Sequence, residues 1–450
     1  MKRIFCILAL GAIVFASCQR EEVFVDRPSE VKSDVLVVDT KTRSYDEALA
    51  IAEDALKLLE GDETRSTNKR VIKRSEGQTV MRPVTRGSET EEEPIMYVFN
   101  NEDNQGFTVV AADRSKDPLI AVTELGNYTY GTPTGVEPFD LMMEDVATTL
   151  SFNPPTPIVP DTPLTPTPGC YFDTICYETV RVDPLLSTKW GQSGIYGAYC
   201  SNGLSGCGVT AAVQIMAYHR KPTAMQMTYD NNLLMAIDWR GLLLHTQGAS
   251  DQTSCSCGCR YDLIGMVMRE VGERSLAQYR EDKPETSKNE RGTGTNPVNV
   301  YDALVELGYV RAQHDYYIEI DAYKDAVIDN IDRGLPIFMA GYLETSGGHA
   351  WVIDGYNKKN YRIDFYVTNP NYNPHVVVNP EPQYIYDSSE YVQKISLHIN
   401  WGWNGNCDGW FNLGNFAINE AESYDDLDAN NSESYDFVRD FHLIYNIKTN

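Results

Sequence analysis

The residues that could do chemistry sit in a few short stretches. "GLSGCGVTAAVQIMAYHRKP" (203–222) places one thiol, Cys207, in front of an almost wholly apolar run. Pro222 cannot continue a helix. His219, Arg220 and Lys221 suit a helix's negative end, so Cys207 falls at or near the positive one. Unpaired backbone N–H groups there favour an anion and lower a thiol pKa. Gly206 and Gly208 flank the thiol and let a substrate backbone approach closely. On this stretch alone a buried structural cysteine is the commoner reading.

A thiolate nucleophile needs a base and a group that orients the base. "TSGGHAWVIDGY" offers His349, which follows Gly347 and Gly348 and opens an apolar strand. His219 lies at the wrong end of the cysteine helix, and His245, His314, His375 and His442 lack a comparable setting. His398, on a later strand, is a weaker rival. His349 follows Cys207 by 142 residues, inside the roughly 130–150 spacing of papain-type enzymes. "INWGWNGNCDGWF" then brings Asn400 and two indoles, side chains able to orient and shield an imidazole. Upstream, Gln192 stands in a Gly-rich turn; its amide, with the Cys207 N–H, could stabilise the oxyanion of a tetrahedral intermediate.

The ordered set "PLLSTKWGQ" (184–192), "GCGVTAAVQIMAYHRKP" (206–222), "GTGTNPVNVYDALVELGY" (292–309), "GGHAWVIDGY" (347–356) and "NWGWNGNCDGWF" (400–411) resembles the streptopain-type cysteine peptidases of the papain superfold. "GFTVVAADRSKDPLIAV" resembles the propeptide that precedes them. The resemblance implies Cys207 as nucleophile, His349 as base and acid, Gln192 as oxyanion donor, and Trp401 with Asn400 beside the histidine. It also implies Gly348 backbone as a substrate contact; the region of Asn296 is a further guess for the substrate pocket. The reaction expected is peptide hydrolysis through a thioester, with no metal or organic cofactor. A paired thiolate of this kind can have a pKa of roughly 3–4. Two departures stand out: Gly208 and Val209 follow the cysteine where the family has a branched and then a small residue, and 223–260 with "SCSCGC" reads as an insertion. The competing reading is a catalytically silent surface lipoprotein that binds peptides with the same groove; transpeptidation is a third.

The elements that must hold these residues fit an α+β fold: a two-lobed, papain-like catalytic domain (170–450) behind a small α+β propeptide (18–152). In the large domain, helix signals at 206–220, 260–273 and 297–307 precede strand signals at 335–342, 349–356, 361–369 and 394–403. In the small one, Ser44 and Glu47 form a capping box for a helix with an Ala48, Ile51, Ala52, Ala55 and Leu59 face. Runs at 95–99, 106–112 and 117–123 read as strands, and 62–93 as a loop. Between the domains, seven of the seventeen residues 153–169 are Pro, an extended linker open to proteolysis.

The N-terminus sets the compartment. Met1–Arg3 is basic, residues 4–16 are apolar, and "FASC" ends in Cys18, the pattern of a bacterial lipoprotein signal (1–17) with Cys18 as lipid anchor. This places the protein outside the cytoplasm, at the outer membrane or cell surface. The net charge of −26 argues against nucleic acid as partner; the partners expected are protein or peptide substrates, the chain's own propeptide and a membrane lipid. Cys255, Cys257 and Cys259 are too closely spaced for a usual zinc knuckle. Disulfides with residues such as Cys170, Cys176 or Cys200 are the expectation.

Overall fold

The computed structural model describes residues 42–60, 70–86, 89–114, 116–151, 170–245, 259–280, 292–316, 320–343, 347–372, 375, 382–412 and 439–449. The signal segment with Cys18, the Pro-rich linker and the Cys255–Cys257 pair lie outside these residues.

The first helix, α1 (Tyr45–Ala55), begins with the expected capping box: Ser44 Oγ accepts from the Glu47 N–H, and the Glu47 carboxylate accepts from the Ser44 N–H at 2.8 Å. Ala48, Ile51, Ala52 and Ala55 form its buried face. They pack on three strands of a run of consecutive antiparallel neighbours, β1 (Gln78–Arg86), β2 (Glu89–Asn100), β3 (Phe107–Ala111) and β4 (Leu119–Thr123), meeting Tyr97 and Phe99 of β2, Val110 of β3 and Leu119 and Val122 of β4. Strand β1 occupies part of the stretch expected to be a loop. It pairs only with β2, and its register shifts between Val80 and Met81. The extra residue there is Ile95 of β2. β1 itself escapes the sequence reading because Val80 is its one buried apolar side chain among those described, beside Gln78, Thr79, Arg82 and Pro83. Helix α2 (Glu137–Ser151) was also not among the expected elements. Its buried Phe139, Met142, Met143, Val146 and Ala147 recur at helical spacing.

Past the linker, β5 (Cys170–Val182) leads to the helical half. Helix α3 (Cys207–His219) buries every residue from Gly208 to Ala217, as an almost wholly apolar helix must. Helices α4 (Cys259–Arg274) and α5 (Pro297–Glu306) pack on it through Val267, Met268, Val271, Val300 and Leu304. Asn296 caps α5, its side-chain oxygen accepting from the Val298 N–H at 2.9 Å.

The other half is sheet: β6 (Gln313–Tyr316), β7 (Ile337–Leu343), β8 (Gly347–Thr368), β9 (Tyr384–Asn400), β10 (Gly409–Asn412) and β11 (Arg439–Tyr445). The two strands expected at 349–356 and 361–369 are the single strand β8. Its polar middle, Asn357 to Asn360, is held by β9 on one side and β5 on the other. The spatial order is β1-β2-β3-β4-β10-β9-β8-β7-β11-β6, with β5 also on β8. One antiparallel sheet therefore runs through both halves of the chain. β4 and β10 join them through the pairs Ala121–Phe411, Val122–Trp410 and Thr123–Gly409. Phe139 of α2 packs into the same core as Trp351, Trp401 and Phe411.

Candidate active site

The seam between the helical and sheet halves opens into a cleft of about 550 Å³. Cys207, Gln192, His349, Gly348, Asn296, Trp403 and Glu137 all line it. Five of these are residues that the sequence singled out.

Cys207 is the first residue of α3, and Gly206 is its N-cap, with no side-chain cap bond. Gly206 has φ +91°, which excludes ordinary side chains, and an added Cβ would lie 2.8 Å from the Thr293 carbonyl oxygen. Added at Gly208, a Cβ would lie 2.6 Å from the Thr295 methyl. Both glycines thus answer to backbone conformation and packing on the Thr293–Thr295 segment. The thiol is half-buried and free.

His349 enters from β8, three residues into the strand, opposite Gly341 of β7. The thiol and the imidazole shift each other's ionisation. Burial pushes the Cys207 pKa up, but the imidazole and the N–H groups of Ala350 and Gly208 outweigh it and hold the thiol below its ordinary value. Burial pushes His349 down, but Cys207 and Glu137 outweigh it and raise its pKa to about 9. The combination favours thiolate and imidazolium. The imidazole Nδ1 is buried and makes no well-aligned hydrogen bond. Nε2 faces the Glu137 carboxylate at 3.4 Å.

Gln192 supplies the second polar feature. Its backbone carbonyl accepts from the N–H and the hydroxyl of Ser205, which fixes the turn against the start of α3. Its side-chain Nε2 is buried without a partner, an amide donor held at the cleft wall.

Asn400 and Trp401 stand behind the cleft. The Asn400 oxygen accepts from Gln214 Nε2 at 2.9 Å and from the Gly402 N–H at 3.0 Å, and its amide donates to the Thr188 carbonyl at 2.8 Å. These bonds tie α3 to the loop after β9. Trp401 is fully buried against Trp351 and Phe411. The indole that meets the imidazole edge-on, 5.8 Å between ring centres, is Trp403. Sequence reasoning did not single out Trp403; the second Trp of "NWGWNG" was the signal. Glu137 was likewise not singled out, because its helix was not.

Among the described residues Cys176 is disulfide-bonded, while Cys200, Cys207 and Cys407 are free thiols. Cys200, one of the expected disulfide partners, is instead buried beside Tyr279; burial raises its pKa against the smaller effect of that hydroxyl. His398, the weaker rival for the base, is buried between Asp354 and Glu124 and does not line the cleft.

Comparison with known proteins shows the family. Residues 190–411 match the Peptidase C10 family, and residues 38–147 match the Spi protease inhibitor family. The chain belongs to the streptopain-type cysteine peptidases. Streptopain of Streptococcus pyogenes is 22% identical over 352 residues, covering 71% of this chain and 73% of its own length. Streptopain of a second strain of that species is 22% identical over 353 residues, with the same coverage. A fragment of prointerpain A from Prevotella intermedia covers 83% of this chain and all of its own, at 18% identity and a TM-score of 0.48. This peptidase is a cysteine endopeptidase made as a zymogen, with the inhibitor-like segment at its N-terminal end. The membership favours hydrolysis over a silent peptide-binding role.

Proposed function

We propose that Cys207 is the nucleophile and His349 the base and acid of this endopeptidase. The observation that carries the assignment is their convergence: a helix tip and a strand start from different halves of the fold present a thiol and an imidazole to one cleft, each shifting the other toward its charged form. The thiolate attacks the substrate carbonyl carbon. The resulting oxyanion takes hydrogen bonds from Gln192 Nε2 and the Cys207 N–H. His349 then protonates the departing amine, leaving a thioester. Water, deprotonated by His349, attacks the thioester and regenerates the thiolate. Trp403 shields the imidazole, while Asn400 and Trp401 position it indirectly by fixing the loop that carries Trp403. Gly348 offers its backbone to the extended substrate, and Asn296 stands at the far wall. In the zymogen the carboxylate of Glu137, the first residue of α2, lies 3.4 Å from the imidazole Nε2 and lines the cleft, so that α2 obstructs it. That carboxylate is largely exposed, so the steric block counts for more than the ion pair.

The propeptide (18–152), the linker (153–169) and the catalytic domain (170–450) are the units of this reading. Export with Cys18 as lipid anchor belongs to it as well, supported by the basic and apolar segments before that residue. The intact mass of the matured protein tests the anchor: a diacylglyceryl addition at Cys18 supports it, and an unmodified Cys18 at the N-terminus rejects it. The catalytic assignment is tested with an epoxide of the type that alkylates papain-like thiolates. An adduct on Cys207, absent from H349A, is expected in the cut protein; a wild-type protein that hydrolyses peptides without forming it contradicts the assignment.

A further inference from the structure

A second charged cluster, outside the cleft, has no part in the reaction. His398 of β9 is buried, 4% exposed. Its Nδ1 lies 2.6 Å from Asp354 Oδ1, and its Nε2 lies 3.3 Å from Glu124 Oε1. The other Glu124 oxygen accepts from Lys189 Nζ at 2.7 Å. Asp354 is itself fixed by the Leu186 N–H at 2.9 Å. Glu124 is the one member that comes from the inhibitor-like segment (38–147). It follows β4, the strand that pairs with β10, and its own N–H donates to the Asp408 carbonyl at 2.7 Å. The approach is tight: a Cβ at Gly409 would lie 2.3 Å from the Val122 carbonyl. The peptidase half therefore presents a free strand edge ending in a buried cationic socket, and the segment that fills both carries a carboxylate at the matching position.

We propose that His398 and Lys189, backed by Asp354, form a carboxylate-binding exosite of the peptidase domain. Its occupant is Glu124 of the propeptide, and it retains the propeptide after the linker is cut. Strand addition supplies main-chain bonds that any sequence could make; the buried carboxylate supplies selectivity for an extended segment with an acidic residue just past the paired stretch. The inference rests on the propeptide reading, but its test reads binding and needs no catalysis.

The experiment uses the full chain carrying C207A, cut once by an added protease at a site placed within 153–169. Association of the two pieces is followed by gel filtration over a dilution series. Expected is a wild-type socket whose pieces co-elute, and an E124Q chain whose pieces separate with a Kd raised on the order of 10–100-fold. K189M, altered on the opposite side, should act in the same direction, and E124Q with K189M together should cost less than the product of the two. Thermal unfolding of each uncut chain checks that the variants are folded. Retention of the pieces by E124Q as tightly as by wild type overturns the proposal, as does separation of the wild-type pieces on cutting. Co-elution of wild-type pieces that do not inhibit an active Cys207 version would instead count against the inhibitory role and leave the exosite standing.

Discussion

At the scale of single residues, the site rests on two unsatisfied donors and one ion pair. The amide of Gln192 is buried with nothing to bond, which costs about 1–3 kcal/mol unless a ligand repays it. An oxyanion would. Gln192→Ala is therefore expected to lower kcat about 10²–10³-fold, with KM little changed, in peptide hydrolysis by the cut protein; an unchanged kcat removes Gln192 from the mechanism. His349 carries the second prediction. Its pKa of about 9 in the zymogen has two sources, Cys207 and Glu137, which outweigh burial. Glu137→Gln removes one, so the imidazole should lose its proton at lower pH. The His349 ring resonances, followed by NMR over a pH series in the uncut chain, should then titrate at lower pH than in wild type; coincident titrations would show that Glu137 does not reach the imidazole. Trp403→Ala should lower kcat by up to about 10²-fold through a misplaced ring, with Trp403→Phe closer to wild type. That Cys207, His349 and Gln192 line one cleft was legible from residue type and order, because a helix tip and a glycine-led strand start leave marks in sequence; Gly348 came from the family resemblance and Asn296 from a guess at the pocket. Trp401 and Trp403 were not separable there. They lie two residues apart, and only the turn with Gly402 at φ +73° decides which faces the imidazole.

At the scale of elements, α3 determines where the sulfur lies. Its N-cap is a glycine with positive φ pressed on Thr293, so Gly206→Ala must both adopt a disfavoured conformation and displace a backbone oxygen. A loss of about 1–3 kcal/mol in stability is expected, read as a lowered midpoint in thermal unfolding; an unchanged midpoint would mean that the Thr293 segment yields freely. The helices were legible where the apolar spacing was strong, as in α1, α3, α4 and α5. Two elements of the propeptide half were not. β1 buries one apolar side chain among those described, Val80, and carries Pro83, so little apolar alternation marks it. α2 has the right spacing at Phe139, Met142, Met143, Val146 and Ala147, but starts without the Ser, Thr, Asp or Asn cap that announces a helix. Missing α2 also meant missing Glu137, so the contact between propeptide and imidazole could only come from the folded chain.

At the scale of the whole molecule, the sheet shared by the propeptide and peptidase halves makes inhibition a matter of strand pairing and the α2 block, with two carboxylate contacts beside them, the exposed Glu137 at the cleft and Glu124 at the exosite. Their pH dependence has a definite sign. Burial pushes Glu124 up, but His398 and Lys189 outweigh it and hold its pKa at about 2 against an ordinary 4.5. Its contribution is complete above 4.5 and lost as pH falls toward 2. Burial pushes His398 down, but Asp354 and Glu124 outweigh it and raise it from 6.5 to about 10. Its contribution is complete below 6.5 and lost as pH rises through 10. Asp354 stays with His398 after the propeptide leaves, so only the part due to Glu124 bears on release. Asp408, buried beside the cluster, is raised to about 7 by burial, with Glu124 adding to the shift, so its ionisation opposes Glu124 as pH rises through that value. Retention of the cut propeptide should therefore be strongest between pH 4.5 and about 7 and weaken on the alkaline side, measured as co-elution across a pH series. Equal retention from pH 5 to 9.5 would mean that strand pairing alone holds the pieces.

The account turns on an ionised sulfur paired with an imidazole from the opposite half of the fold. Its most direct measurement is the rate of Cys207 alkylation by iodoacetamide against pH, in the cut protein freed of its propeptide, for wild type and His349→Ala. The account predicts a wild-type thiolate already reactive well below the ordinary thiol range, and an H349A profile moved up toward that range. Two superimposable profiles, both rising only near the pKa of a free cysteine, would contradict it.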